Sequence, residues 1–129
     1  MSIVVGYIPT PEGEAAFERA IEEAHSGGML LVVVNSSRGD ALVDRKFVQQ
    51  DDADGLVRRL EAEGVEHLLL QPLRGHDPAE EVLEAAREHR AELVVIGLRK
   101  RSPVGKLILG STAQRILLQA EAPVLAVKA

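Results

Sequence analysis

The chain has no cysteine, and its only aromatic residues are Tyr7, Phe17 and Phe47. Without cysteine there is no disulfide framework, no thiol nucleophile and no cysteine-based zinc site. So few rings also argue against a surface that stacks bases, as single-strand nucleic-acid binders commonly do. No apolar run approaches the roughly 20 residues that a membrane-spanning helix needs. The opening MSIVVGYIPTPEG has no basic segment ahead of its short apolar run, so it does not read as a secretory leader. The net charge of −5 repels nucleic acid and anionic membrane on average. A soluble cytoplasmic protein that engages neither membrane nor nucleic acid is the expectation.

One further absence is local. From Leu93 to Ala120 there is no acidic residue, while Arg99, Lys100, Arg101, Lys106 and Arg115 all fall in that stretch. Such an asymmetry fits a local anion site, although a short solvated run reads the same way. At 129 residues, 46% hydrophobic and 27% charged, the chain has the size and composition of one globular domain, residues 1–129, with a single core.

Short β-rich apolar runs recur at Ile3–Tyr7, Met29–Asn35, His67–Pro72, Leu93–Gly97 and Val124–Val127. They are nearly continuous in apolarity rather than alternating, as strands covered on both faces require. Helical patterns lie between them. The first runs from about Gly13 to Ser26 and ends at Gly27-Gly28; the second spans Asp51–Glu63 and stops at Gly64. The third opens at Asp77-Pro78, an N-cap followed by proline, and the fourth runs from Ser111 to Gln119 before Pro123. Ser36–Gln50, SSRGDALVDRKFVQQ, reads as one long polar loop. Alternating β and α units predict an α/β fold: one open five-stranded parallel sheet, order 3-2-1-4-5, with helices on both faces.

In such a sheet, ligands bind beyond the carboxyl ends of the strands where the winding reverses, here between the first and fourth strands. The loops at that point are Ile8–Gly13 and Leu98–Gly110. The second leads into a helix N-terminus, whose free N–H groups and partial positive charge suit an anion. Gly110 would let a phosphate approach the backbone. Ser111 with Gln114 also fits a capping box, which needs no ligand. Gly105-Lys106 is not a P-loop, because Lys100 and Leu107 stand where that motif needs glycine and serine or threonine. Gly6-Tyr7-Ile8-Pro9 does not supply a dinucleotide fingerprint. His25, His67, His76 and His89 show no metal-ligand spacing, so no structural metal is expected. Glu80, Glu81, Glu84 and Glu88 read as a solvated helix face, Ser102-Pro103 as a turn, and no nucleophile elbow is present.

The C-terminal half, with Gly75-His76-Asp77-Pro78-Ala79 followed by AELVVIGLRKRSPVGKLILGSTAQRILLQAEAPVLAVK, resembles a universal stress protein, and VVGYIPTPEGEAAFERA resembles that family's first strand and helix more loosely. The resemblance implies the adenine nucleotide alpha hydrolase-like fold. Nucleotide-binding members carry G-x2-G-x9-G-[ST], and the frame here reads Gly97, Lys100, Gly110, Ser111, so lysine replaces the second glycine. The aspartate that contacts the nucleoside in those members corresponds to Ile8. What the resemblance implies is a stress-response sensor holding ATP or a related nucleotide, with Mg²⁺ only if ATP is bound. Ile8, Pro9, Thr10, Val34, Ile96, Gly97, Arg99, Lys100, Gly110, Ser111 and Thr112 would surround the nucleotide, Val34 lining the base pocket. No residue is assigned a catalytic role, and slow hydrolysis or autophosphorylation would have only Asp40 or Asp44 to draw on. Ile8 and Lys100 favour the alternative, an interaction module of the same family that binds no nucleotide. The resemblance also implies a homodimer paired through Val124–Val127.

Overall fold

The computed structural model describes residues 1–36, 43–71, 77–99 and 109–129, and their side chains outside 43–52. Five strands, β1 Ser2–Tyr7, β2 Leu30–Asn35, β3 His67–Leu70, β4 Ala91–Leu98 and β5 Val124–Lys128, alternate with four helices, α1 Pro11–Gly27, α2 Val43–Ala62, α3 Pro78–Glu88 and α4 Ser111–Gln119. The strands form one sheet in the order β3-β2-β1-β4-β5, and every pairing is parallel. This is the expected architecture.

The apolar runs alternate across two cores. Ile3, Val5, Leu31, Val33 and Val95 face α1 and α2, where they meet Ala16, Phe17, Ala20, Leu56 and Leu60. Val4, Val32, Val34, Val94 and Ile96 face the other way, onto Ala79, Val82 and Ala85 of α3 and Ile116 of α4. Successive strand residues point to opposite faces, so a strand covered on both sides must be apolar at every position.

Helix boundaries follow local chemistry. The Thr10 hydroxyl accepts a hydrogen bond from the Gly13 N–H at 3.1 Å, Pro11 opens α1, and Gly28 closes it in the left-handed conformation at φ 61°. Asp77 caps α3 by accepting from the Glu80 N–H, with Pro78 at the first position.

The segment Ser36–Gln50 departs from its reading as a loop, because α2 begins at Val43. From Val43 to Ala62 the sequence has no proline and one glycine, Gly55. Arg45, Lys46, Gln49 and Gln50 are good helix formers, so propensity carries the helix through a stretch whose polarity conceals it. The third strand ends at Leu70 and not at Pro72, and β4 extends past the expected Leu93–Gly97 at both ends.

Candidate functional site

β1 pairs with β2 on one side and β4 on the other, and the crossover through α1 runs opposite in direction to the one through α3. At the carboxyl ends of these strands a cavity of about 550 Å³ opens on the α3/α4 face. The β1–α1 turn supplies Ile8, Pro9, Thr10, Glu12 and Gly13; the end of β4 supplies Ile96, Gly97, Leu98 and Arg99. Gly110, Ser111, Thr112, Ala113 and Ile116 come from the start of α4, Pro78 and Val82 from α3, and Ser36 from just beyond β2.

Two of the glycines are demanded by packing. A Cβ on Gly13 would lie 1.9 Å from the Ile8 carbonyl oxygen, and one on Gly97 would lie 2.1 Å from that of Glu12. Gly13 therefore lets the turn after β1 fold back on itself, where the Thr10 N–H also bonds the Ile8 carbonyl at 2.8 Å. Gly97 lets the first turn of α1 rest on the end of β4, a requirement that holds with or without a ligand.

Gly110 is different. Its φ of −69° suits any residue, and among the described residues a Cβ there would meet nothing within 4 Å. Neither strain nor crowding calls for glycine, and its bareness keeps the approach to the backbone of α4 clear. The expected capping box does not form. Gly110 is the N-cap, its carbonyl accepts from the Gln114 N–H at 2.9 Å, and Ser111 is the first helical residue, one position too late to cap. Among the described residues no side chain caps α4, and its first turn holds no acid. Its leading N–H groups and its positive dipole end have no partner among the described residues and suit a ligand or water.

Of the residues expected around a nucleotide, Ile8, Pro9, Thr10, Ile96, Gly97, Arg99, Gly110, Ser111 and Thr112 line this one cavity. Lys100 lies outside the described residues. Val34 does not line it: it is 1% exposed and packs in the α3/α4 core. Ser36, two residues further and so on the same side of the strand direction, reaches the cavity instead. The Ser36 hydroxyl is buried with no hydrogen-bond partner among the described residues.

The residues expected around the nucleotide did not include Gly6, Glu12, Gly13, Ser36, Pro78, Val82, Leu98, Ala113 and Ile116, all of which line the cavity. Glu12, Gly13 and Leu98 do fall within the loops read at the switch point, Ile8–Gly13 and Leu98–Gly110, and Pro78, Val82 and Ile116 read as helix positions; Gly6, Ser36 and Ala113 carry no ligand signal.

The basic residues also divide. Arg115 is ion-paired with both Asp77 and Glu80, which pins α4 to the N-terminus of α3 and spends its charge on structure. Arg99 stays 72% exposed at the cavity, 3.6 Å from the Glu12 carboxylate. Among the described residues no group of three or more histidine, aspartate or glutamate side chains could hold a metal ion, and Glu12 is the one acid on the cavity wall. No helix among the described residues is long and apolar enough to cross a membrane.

The model of the universal stress protein family matches residues 1–128. The chain belongs to that family. It is 48% identical over 126 residues to a universal stress protein of Mycolicibacterium smegmatis, covering 98% of this chain and 96% of that one. Among solved universal stress proteins, one from Archaeoglobus fulgidus superposes with a TM-score of 0.82 at 33% identity, covering 99% of this chain and 98% of the other. A second structure from Archaeoglobus fulgidus, a universal stress protein in complex with dAMP, superposes with a TM-score of 0.75 at 27% identity, covering 99% and 98%. In this chain the cavity lies at the β1/β4 switch point, with an apolar Ile8 on its wall.

Proposed function

We propose that this universal stress protein binds ATP or a related nucleotide at the β1/β4 switch point and acts as a sensor in the stress response rather than as a fast catalyst. The observation that carries the reading is the N-terminus of α4, which no described side chain caps, opening onto the cavity behind a glycine that no described residue crowds. The backbone at Gly110, Ser111 and Thr112 would receive phosphate oxygens, and Arg99 would add charge. Ile8, Val82, Ile96 and Ile116 offer the apolar wall that a base needs. The cavity volume suits a mononucleotide, and the dAMP held by the Archaeoglobus relative supports the same ligand class.

The test is to denature purified protein, chromatograph what is released for adenine nucleotides, and measure the melting shift with MgATP. At a hundredfold excess over Kd, binding adds about 2.7 kcal/mol of stability. No released nucleotide and no shift at millimolar MgATP would leave the interaction module that binds no nucleotide, the reading that Ile8 and Lys100 favour.

The protein is also proposed to be a homodimer. Among the described residues β5 pairs only with β4, its other edge has no described strand beside it, and Val124 to Val127 are only half-buried. Leu118 on the preceding helix is 76% exposed. Pairing of two β5 strands would cover the edge. Light scattering at tens of micromolar, about the range where weak dimers persist, is expected to give twice the chain mass.

A further inference from the structure

Glu12 stands on the wall of the cavity with its side chain only 13% exposed. Its backbone is seated against Gly97, which fixes the stem of the side chain at the end of β4. The only charge that answers it among the described residues is Arg99 at 3.6 Å, beyond hydrogen-bonding distance, and no described residue donates a hydrogen bond to its carboxylate. A carboxylate withdrawn from water is costly unless donors reach it, and when ionised it can only accept. The same cavity meets the N-terminus of α4, whose leading N–H donors no described side chain caps. A ligand that satisfies both walls must bring an anionic group for one and neutral O–H donors for the other.

We infer that Glu12 reads the sugar: its carboxylate accepts hydrogen bonds from the vicinal hydroxyls of a ribose and so selects ribonucleotides over 2′-deoxyribonucleotides. Two adjacent hydroxyls match the two carboxylate oxygens, and O–H···O⁻ bonds are of the strong, charge-assisted kind. A 2′-deoxy sugar leaves one oxygen of a secluded carboxylate without its donor. This assignment rests on the nucleotide reading above and gives that site a sugar preference.

The experiment is isothermal titration of the wild-type protein and of Glu12→Gln with ATP and with 2′-deoxyATP. The wild type is expected to bind ATP about tenfold more tightly than 2′-deoxyATP, the usual scale for a hydrogen bond to a charged group. Glu12→Gln is expected to bring the two within about twofold, chiefly by weakening ATP. Equal wild-type affinities would overturn the assignment while leaving nucleotide binding intact. A variant that tightens both nucleotides alike would also overturn it, because the carboxylate would then only repel phosphate. Wild-type protein that binds neither nucleotide would remove the nucleotide reading and this assignment together. Should Glu12→Gln fail to fold by circular dichroism, the wild-type ratio decides alone.

Discussion

Glu12 and Glu14 stand two residues apart in the first turn of α1, and they live in opposite chemical settings. At about 100° per residue the helix sends them to different sides. Glu14 turns to the α1/α2 side. The Tyr7 hydroxyl donates to it at 2.7 Å and an Arg59 guanidinium N–H at 2.6 Å. Burial pushes the Glu14 carboxyl up, but these hydrogen bonds and the arginine charge outweigh it and hold the group below its ordinary value. Arg59 also lies over the Phe17 ring at 4.6 Å, and Tyr7 meets that ring edge-on at 5.6 Å. Donors, acceptor and ring at this corner complete one another. Glu12 turns to the cavity, where no described side chain completes it. One carboxylate holds a helix in place and the other faces the cavity. The contrast teaches that acidity and position in the helix say little about role; the face on which a side chain emerges decides it.

That contrast can be broken or sharpened, beginning with the largest effect. Phe17→Ala removes the buried ring beneath the completed corner and is expected to cost about 3–5 kcal/mol in urea unfolding. A loss below about 1 kcal/mol would mean that the α1/α2 side is not the stability-bearing one. Gly97→Ala drives a methyl group into the Glu12 carbonyl, so about 1–3 kcal/mol should be lost and nucleotide binding should fall with it. Gly110→Ala should do the reverse. Its stability is expected to stay within about 0.5 kcal/mol, because a slightly poorer cap and a less flexible unfolded chain offset each other. Calorimetry should nevertheless show affinity falling about tenfold as the methyl group blocks the helix N-terminus.

The smallest effect concerns Glu14 and pH. Glu14→Gln is expected to cost about 0.5–1 kcal/mol at neutral pH, a modest figure because the side chain is 42% exposed and water screens the pair. A carboxyl held lower in the folded than in the unfolded chain stabilises fully above its unfolded value, and that contribution fades as pH falls through the folded one. The gap between wild type and variant should therefore close on acidification. A gap that persists unchanged to about pH 2 would show that ionisation of Glu14 does not carry it.

The sheet order, the five strands and the caps at Gly28 and Asp77 were legible in the sequence because each rests on local chemistry or short-range periodicity. The start of α2 was hidden, since a polar helix and a polar loop share a composition. The capping frame at Ser111 failed by one residue, because backbone torsions at Gly110, and not the letters, set where α4 begins. Val34 and Ser36 show the same limit in a strand. Both point one way, but the length of β2 and the cover of α3 decide that Val34 is sealed in the core while Ser36 meets the cavity.

What the residues alone settle is therefore the family, the architecture and the place of the cavity, because hydrophobic period and right-handed crossovers allow few arrangements of these runs. Tertiary structure decides which groups at that place are already committed. Arg115 is taken up by Asp77 and Glu80, Gly97 by the backbone of Glu12, and Glu14 by Tyr7 and Arg59. Glu12, Arg99 and the N-terminus of α4 are left facing the cavity. The partners involved lie up to tens of residues apart in the chain, so a hydrogen bond or close contact between them exists only once the two layers have packed on the sheet.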